Sequence, residues 1–103
     1  MTATKLKKAH EAHEALRRKG GVSSREMQEL ASALGRTRFT GRGKEPTWIN
    51  EQLPHLRPIS IPDHGGGRDL KPGTKKSILT QLQQDLDAWA EKFETSQTEN
   101  DHE

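Results

Sequence analysis

The segment ISIPDHGGGRDLKPGTKKSIL (59–79) concentrates positive charge where a helix is predicted to begin. Its cations are Arg68, Lys71, Lys75 and Lys76, and the last two fall in the first turn of that helix. The unpaired N–H groups of a helix N-terminus already carry about half a positive charge, so lysines there call for a negative group nearby. Cations and free N–H groups together favour a phosphate. The segment therefore predicts a phosphate site.

A second cationic turn lies upstream, in the sequence GRGK at 41–44. Its glycines permit a positive φ, and the predicted hairpin exposes Arg42 and Lys44 at its tip. An ordinary charged turn explains this stretch equally well. The three glycines at 65–67 also leave two alternatives open, since they can bring backbone amides to a phosphate or form a flexible hinge. The GxxxxGK[ST] spacing of a P-loop is absent from the sequence.

Charge is distributed unevenly along the 103 residues. Residues 1–44 contain 11 Lys and Arg against 4 Asp and Glu, residues 45–76 contain 5 against 4, and residues 77–103 contain 1 against 7. This asymmetry indicates a basic surface for a polyanion or, alternatively, a dipolar solvated surface. The absence of cysteine excludes disulfides and thiolate chemistry and fits a reducing compartment. No apolar run approaches the roughly 20 residues that cross a bilayer, so we expect a cytoplasmic protein without membrane contact.

Three helices and three short strands are predicted from the periodicity of the apolar residues. The first helix covers residues 4–19, and the second begins at a capping box of Ser23 and Glu26 and ends at Gly35. The third begins at Pro72 and carries one apolar stripe. Between the second and third helices the strands are predicted at 36–40, 46–50 and 57–62.

This order of elements predicts an α+β fold, α-β-β-β-α, with an extra helix in front. The strands form a three-stranded antiparallel sheet with the helices on one face, which leaves the other face open. The chain divides into an N-terminal helical extension (1–21), a main domain (22–93) and a disordered acidic tail (94–103). The predicted shared core consists of Leu30, Leu34, Ile59, Ile61, Ile78, Leu82 and Leu86.

The remaining residues indicate neither a metal site nor an aromatic stacking platform. HEAHE at 10–14 has its histidines at i and i+3 instead of the HExxH spacing, so we interpret it as a solvated helix face. Only Phe39 and Trp48 of the four aromatic residues lie on strands, too few to stack bases along a single strand. Recognition of shape and backbone, as on duplex or structured RNA, is therefore favoured. We expect no metal and no small-molecule cofactor.

The run RPISIPDHGGGRDLKPGTKKSIL (57–79) resembles the C-terminal half of HicA-type toxins. That half combines a strand ending in proline and histidine, a basic loop, a Gly-Thr cap and a helix that opens on Ser-Ile-Leu. The likeness covers residues 23–86. It implies a fold like that of a double-stranded-RNA-binding domain and metal-independent cleavage of messenger RNA in a bacterial type II toxin–antitoxin system. It also implies inhibition by a cognate HicB-type antitoxin.

The catalytic histidine that this family carries on its second strand has no counterpart here, because the matching stretch GKEPTWI (43–49) contains none. Cleavage of RNA without a metal needs a base for the 2′-hydroxyl, stabilisation of a dianionic phosphorane and an acid for the leaving oxygen. His64 and Glu45 are the candidate proton-transfer groups, and Lys44 is a candidate charge stabiliser. The predicted RNA-binding cations are Arg42, Lys44, Arg68, Lys71, Lys75 and Lys76.

Two functions are therefore expected from the sequence. The first is an RNA-binding toxin that acts as a metal-independent endoribonuclease on messenger RNA and is neutralised by its antitoxin. The second is a catalytically silent HicA-like module that binds RNA or an antitoxin-like protein without cleavage.

Overall fold

The computed structural model describes residues 2–39, 46–62 and 69–101, with side chains as far as Phe93. Within these residues the predicted α+β fold is confirmed, with the three-stranded antiparallel sheet preceded by two helices and followed by one. α3 enters the segment from residue 94 onward that we expected to be disordered. In chain order the elements are α1 (Ala3–Arg18), α2 (Ser24–Ala33), β1 (Thr37–Phe39), β2 (Thr47–Ile49), β3 (Ile59–Ser60) and α3 (Pro72–Asp101).

Both ends of α2 are closed by local hydrogen bonds that the sequence encodes. Ser23 Oγ accepts from the N–H of Glu26 at 3.2 Å, and the Glu26 carboxylate accepts from the N–H of Ser23 at 3.3 Å, which confirms the capping box. At the other end the N–H of Arg36 donates to the carbonyl of Ala31 at 3.0 Å. This bond requires Gly35 at a φ of +93°, a conformation that glycine adopts without strain.

The sheet has the order β1-β2-β3 and buries one face. Trp48 on β2 is paired with Arg38 on β1 and Ile59 on β3, and Trp48 and Ile59 are both buried. The neighbouring residues point to the opposite face because side chains alternate along a strand. On that face Phe39 is 59% exposed, and its cross-strand neighbour Thr47 is half-buried. The predicted open face is therefore present.

The predicted core is confirmed, since each of its seven members is at most 3% exposed. The alternation of Ile59 and Ile61 places both of these side chains inside. The stripe on α3 continues through Leu79 and Trp89, which are also buried. Trp89 Nε1 donates to the carbonyl of Leu34 at 2.7 Å, so the aromatic ring ties α3 to the end of α2.

α1 shares this core, with Ala9 and His13 buried and Leu6 and Leu16 packed against it. The four residues follow one face of the helix, as their spacing predicts. The interpretation of HEAHE as a solvated face is therefore wrong for His13, which is 5% exposed, while His10 is exposed. His13 lies at the same helical spacing as the apolar residues of α1, and this spacing places its side chain in the core.

A buried ion pair joins the sheet to α3. The guanidinium of Arg36 donates to the two carboxylate oxygens of Asp85, from Nε at 2.7 Å and from an Nη atom at 2.8 Å. The other Nη atom donates to the backbone carbonyls of Trp48 at 2.8 Å and Arg57 at 3.0 Å. The side chains of the pair are 1% and 0% exposed. One arginine therefore connects β2, the segment before β3 and the middle of α3.

Candidate nucleic-acid interface

The start of α3 packs against the linker between α1 and α2. Leu70 donates its N–H to the carbonyl of Val22 at 2.7 Å, and Asp69 forms an antiparallel bridge with Ser23. A Cβ atom at Gly21 would overlap a carboxylate oxygen of Asp69, so a larger residue there would displace that side chain. These contacts place the N-terminus of α3 beside the C-terminus of α1.

Lys75 stabilises this junction. Its Nζ donates to the carbonyl of Lys19 at 2.5 Å and lies 3.4 Å from the carbonyl of Arg17. The last carbonyls of a helix have no partner within the helix and carry partial negative charge. A lysine in the first turn of a helix is stabilised by a negative group nearby. At Lys75 the carbonyl oxygens at the end of α1 supply this negative charge. Lys75 therefore links the start of α3 to the end of α1.

A pocket of about 670 Å³ lies between α1 and α3 at the same junction. Arg17, Lys75 and Lys76 contribute positive charge to its lining, and Leu70 and Leu79 contribute apolar walls. We call the set Arg17, Lys71, Lys75 and Lys76 the α1–α3 basic surface. Lys71, Lys76 and Arg17 are exposed, and Lys75 is half-buried.

One acidic neighbour holds the guanidinium of Arg17 in its orientation. Its guanidinium donates to the carboxylate of Glu14 at 2.7 Å and 3.1 Å. The hydrogen bond to Glu14 raises the pKa of Arg17, and the hydrogen bond from Arg17 is the main cause of the lowered pKa of Glu14. Both side chains are exposed, so a competing phosphate can reach the guanidinium.

The described residues bring together half of the predicted RNA-binding cations, namely Lys71, Lys75 and Lys76. The others, together with the candidate catalytic groups, lie outside the described residues, and these are Arg42, Lys44, Glu45, His64 and Arg68.

The structure adds two residues from α1 that the sequence reasoning did not assign to the site. Arg17 and His13 both line the pocket. A signal for them exists in the sequence, because Ala9, His13 and Arg17 follow one another at intervals of four on one helix face. This spacing predicts a site only once the packing of α1 beside the start of α3 is known.

A salt bridge at the start of α2 predicts that the stability of the fold depends on pH. Lys19 Nζ donates to the Glu26 carboxylate at 2.8 Å, and this hydrogen bond is the main reason that the pKa of Glu26 is lowered. A carboxyl whose pKa is lower in the folded state stabilises the fold above its unfolded pKa and loses that effect as the pH falls through its folded pKa.

Glu26→Gln is therefore expected to lower the free energy of unfolding at pH 7 by about 0.2–1 kcal/mol, the range for partly exposed ion pairs. The difference from the wild type should shrink when urea titrations are repeated at acidic pH, as the pH falls through the lowered folded-state pKa of Glu26. Glu29→Gln is the matched control, because Glu29 lies in the same helix, is exposed and is 3.5 Å from its partner Arg25. A difference at Glu26 that persists unchanged in acid would contradict the assignment.

No protein-family model, curated protein or solved structure matches the chain. Among the described residues there is no group of three or more His, Cys, Asp or Glu side chains arranged to hold a metal ion. Within the same part of the chain no helix combines the length and the apolar character needed to span a bilayer.

Proposed function

We propose that the protein binds RNA through the α1–α3 basic surface. The observation that carries the proposal is the convergence of Arg17 from α1 with Lys75 and Lys76 from the start of α3 around one pocket, with the exposed Lys71 directly before that helix. Lysine and arginine side chains that neutralise phosphates supply most of the affinity of proteins for nucleic acids. The N-terminus of α3 adds its own partial positive charge at the same place.

The described sheet supports recognition of backbone and shape over base stacking. Trp48 is buried against the helices, which leaves Phe39 as the large exposed apolar residue on the described strands. Single-strand platforms stack successive bases on several aromatic rings. Helical or structured RNA, recognised through phosphates and 2′-hydroxyls, fits this surface better.

The resemblance of residues 57–79 to HicA-type toxins supports a more specific form of this proposal. In that form the protein is the cytoplasmic toxin of a bacterial type II toxin–antitoxin pair, cleaves messenger RNA without a metal and is neutralised by a HicB-type antitoxin. The order of helices and strands is compatible with it. A silent relative that binds RNA or an antitoxin without cleavage is the second candidate, and the missing histidine at 43–49 favours it.

The salt dependence of RNA binding tests the common part of both candidates. Lys71→Glu combined with Lys76→Glu is expected to weaken binding to a hairpin RNA and to reduce the slope of log K against log salt by about 1.5, because each lost phosphate contact removes roughly 0.7–0.9. Lys75 is left unchanged, since its contacts with the carbonyls at the end of α1 make it part of the fold.

The matched control changes the net charge equally at the far end of α1. Lys5→Glu combined with Lys8→Glu alters two exposed lysines, and Lys5 is about 18 Å along the helix from Arg17. These control changes should leave the slope within about 0.3 of the wild-type value. Equal slopes for the two double variants would mean that the α1–α3 basic surface does not contact RNA, and would favour an acidic protein as its partner.

A further inference from the structure

His13 is a buried side chain. One of its ring nitrogens is hydrogen-bonded to the protein, and the other has no hydrogen bond to the described residues. The ring is 5% exposed and forms part of the wall of the pocket between α1 and α3. Its Nε2 lies 2.8 Å from the carbonyl oxygen of Leu79. A carbonyl oxygen only accepts, so Nε2 carries the hydrogen and, in the neutral ring, Nδ1 is left as an acceptor.

Nδ1 has no hydrogen-bond partner among the described residues. Nδ1 is not among the buried side-chain atoms of the described residues that lack a partner, so it is accessible and can accept a hydrogen bond from a donor that enters the pocket. A hydroxyl group is such a donor. The packed position of His13 between α1 and α3 fixes the ring in advance of any ligand.

The other walls of the pocket define what else the ligand carries. Lys76 and Arg17 lie at the pocket and favour an anionic group, while Leu70, Pro72 and Leu79 offer an apolar surface. The volume of about 670 Å³ falls within the range of about 300–1,000 Å³ that is typical of small-molecule sites. A ligand with a hydroxyl, a negative charge and a flat apolar part matches the His13 acceptor, the two cations and the apolar wall.

We propose that this pocket is a subsite for one ribonucleotide of the bound RNA. The phosphate lies at Lys76 and Arg17, the base lies against the apolar wall, and the 2′-hydroxyl donates to Nδ1 of His13. This inference rests on the proposed RNA binding and deepens it, because the 2′-hydroxyl is the group that distinguishes RNA from DNA. α1 then supplies both the selectivity and part of the positive charge.

The first test uses the unaltered protein and single nucleotides. Titration with adenosine 5′-monophosphate should shift the Nδ1 resonance of His13 in a nitrogen NMR spectrum, with a much smaller shift for the 2′-deoxy nucleotide. The His10 ring on the exposed face of the same helix is the internal control and should not respond. A His13 resonance that ignores both nucleotides, or that responds equally to both, overturns the subsite.

The second test compares RNA, DNA and 2′-O-methyl RNA hairpins of the same sequence. The wild type should prefer RNA to the 2′-O-methyl form by roughly three- to tenfold, the discrimination expected of one neutral hydrogen bond. His13→Gln should remove this preference, and His10→Gln should keep it. If His13→Gln unfolds, the response of the His13 resonance to the ribonucleotide and to its 2′-deoxy form decides, because that measurement uses the unaltered protein.

RNA binding by the basic surface and the ribonucleotide subsite are distinguished by these experiments. Salt-dependent RNA binding with no 2′-hydroxyl preference and no response of His13 would retain the proposed function and overturn the ribonucleotide subsite. A His13 response to the ribonucleotide without any hairpin binding would retain the subsite and overturn RNA as the ligand of the basic surface.

Discussion

Asp85→Ala is expected to lower the free energy of unfolding by about 3–5 kcal/mol, the range for removing one partner of a buried ion pair. The Asp85 side chain is fully buried and accepts two hydrogen bonds from Arg36. Without the carboxylate the guanidinium remains inside the core with an uncompensated charge. Its two bonds to backbone carbonyls would persist, yet they do not neutralise it.

Urea denaturation followed by circular dichroism measures this effect. Asp87→Ala is the matched control, because Asp87 lies two residues further along α3, is exposed and accepts a hydrogen bond from Gln83 at 3.1 Å. The control should change stability by no more than about 0.5 kcal/mol. Equal effects of the two substitutions would mean that the ion pair does not hold the sheet on α3.

A double variant separates the cost of the lost pair from the cost of lost packing. Arg36→Met combined with Asp85→Leu replaces both charges by apolar groups of similar length. Such replacements of buried pairs are often close to neutral. Here the carbonyls of Trp48 and Arg57 lose their donor as well, so we expect the double variant to lie between the wild type and Asp85→Ala.

The ion pair also shows why part of this fold could not be predicted from the sequence. Asp85 lies seven residues after Ile78 and three after Leu82, so it occupies a position on the apolar stripe of α3. A carboxylate at that position indicates a buried cationic partner. The partner lies 49 residues earlier, and no local pattern identifies Arg36 among the many cations of the chain.

Local features, by contrast, were predictable wherever a short-range rule determines the structure. The capping box at Ser23, the glycine that ends α2 and the alternation of Ile59 and Ile61 each depend on residues within a few positions of one another. The core on α3 followed in the same way, because one apolar stripe needs one partner surface.

The candidate site depends on contacts between distant segments and was predicted only in part. The lysines at the start of α3 were predicted to need a negative group nearby, and the structure shows Lys75 in contact with carbonyls at the end of α1 that are 56 and 58 residues away. HEAHE was interpreted as a solvated helix face because its histidine spacing does not match HExxH, although His13 falls near the same helix face as Leu6, Ala9 and Leu16. Both outcomes follow from the packing of α1 beside α3, which neither sequence segment specifies alone.

The expected effect of His64→Ala is a loss of RNA cleavage by a factor of about 10² to 10⁴, the usual contribution of a general acid or base. His64 lies outside the described residues. Histidine changes its protonation near neutral pH, and the second-strand histidine of the resembled family is missing from 43–49. RNA affinity should remain near the wild-type value, because a neutral histidine adds little to phosphate attraction.

The assay uses purified protein, a labelled messenger RNA fragment and EDTA, so that a metal-dependent contaminant gives no signal. His55→Ala is the matched control, because His55 is an exposed histidine in the loop between β2 and β3. Glu45→Gln is the companion variant, since its carboxylate occupies the position nearest to the family's histidine. Loss of cleavage in Glu45→Gln alone would assign the base to Glu45 and exclude His64 from proton transfer. Cleavage that survives both substitutions would remove both residues from the catalytic site, and a wild-type protein that binds RNA without cleaving it would establish the silent binding module.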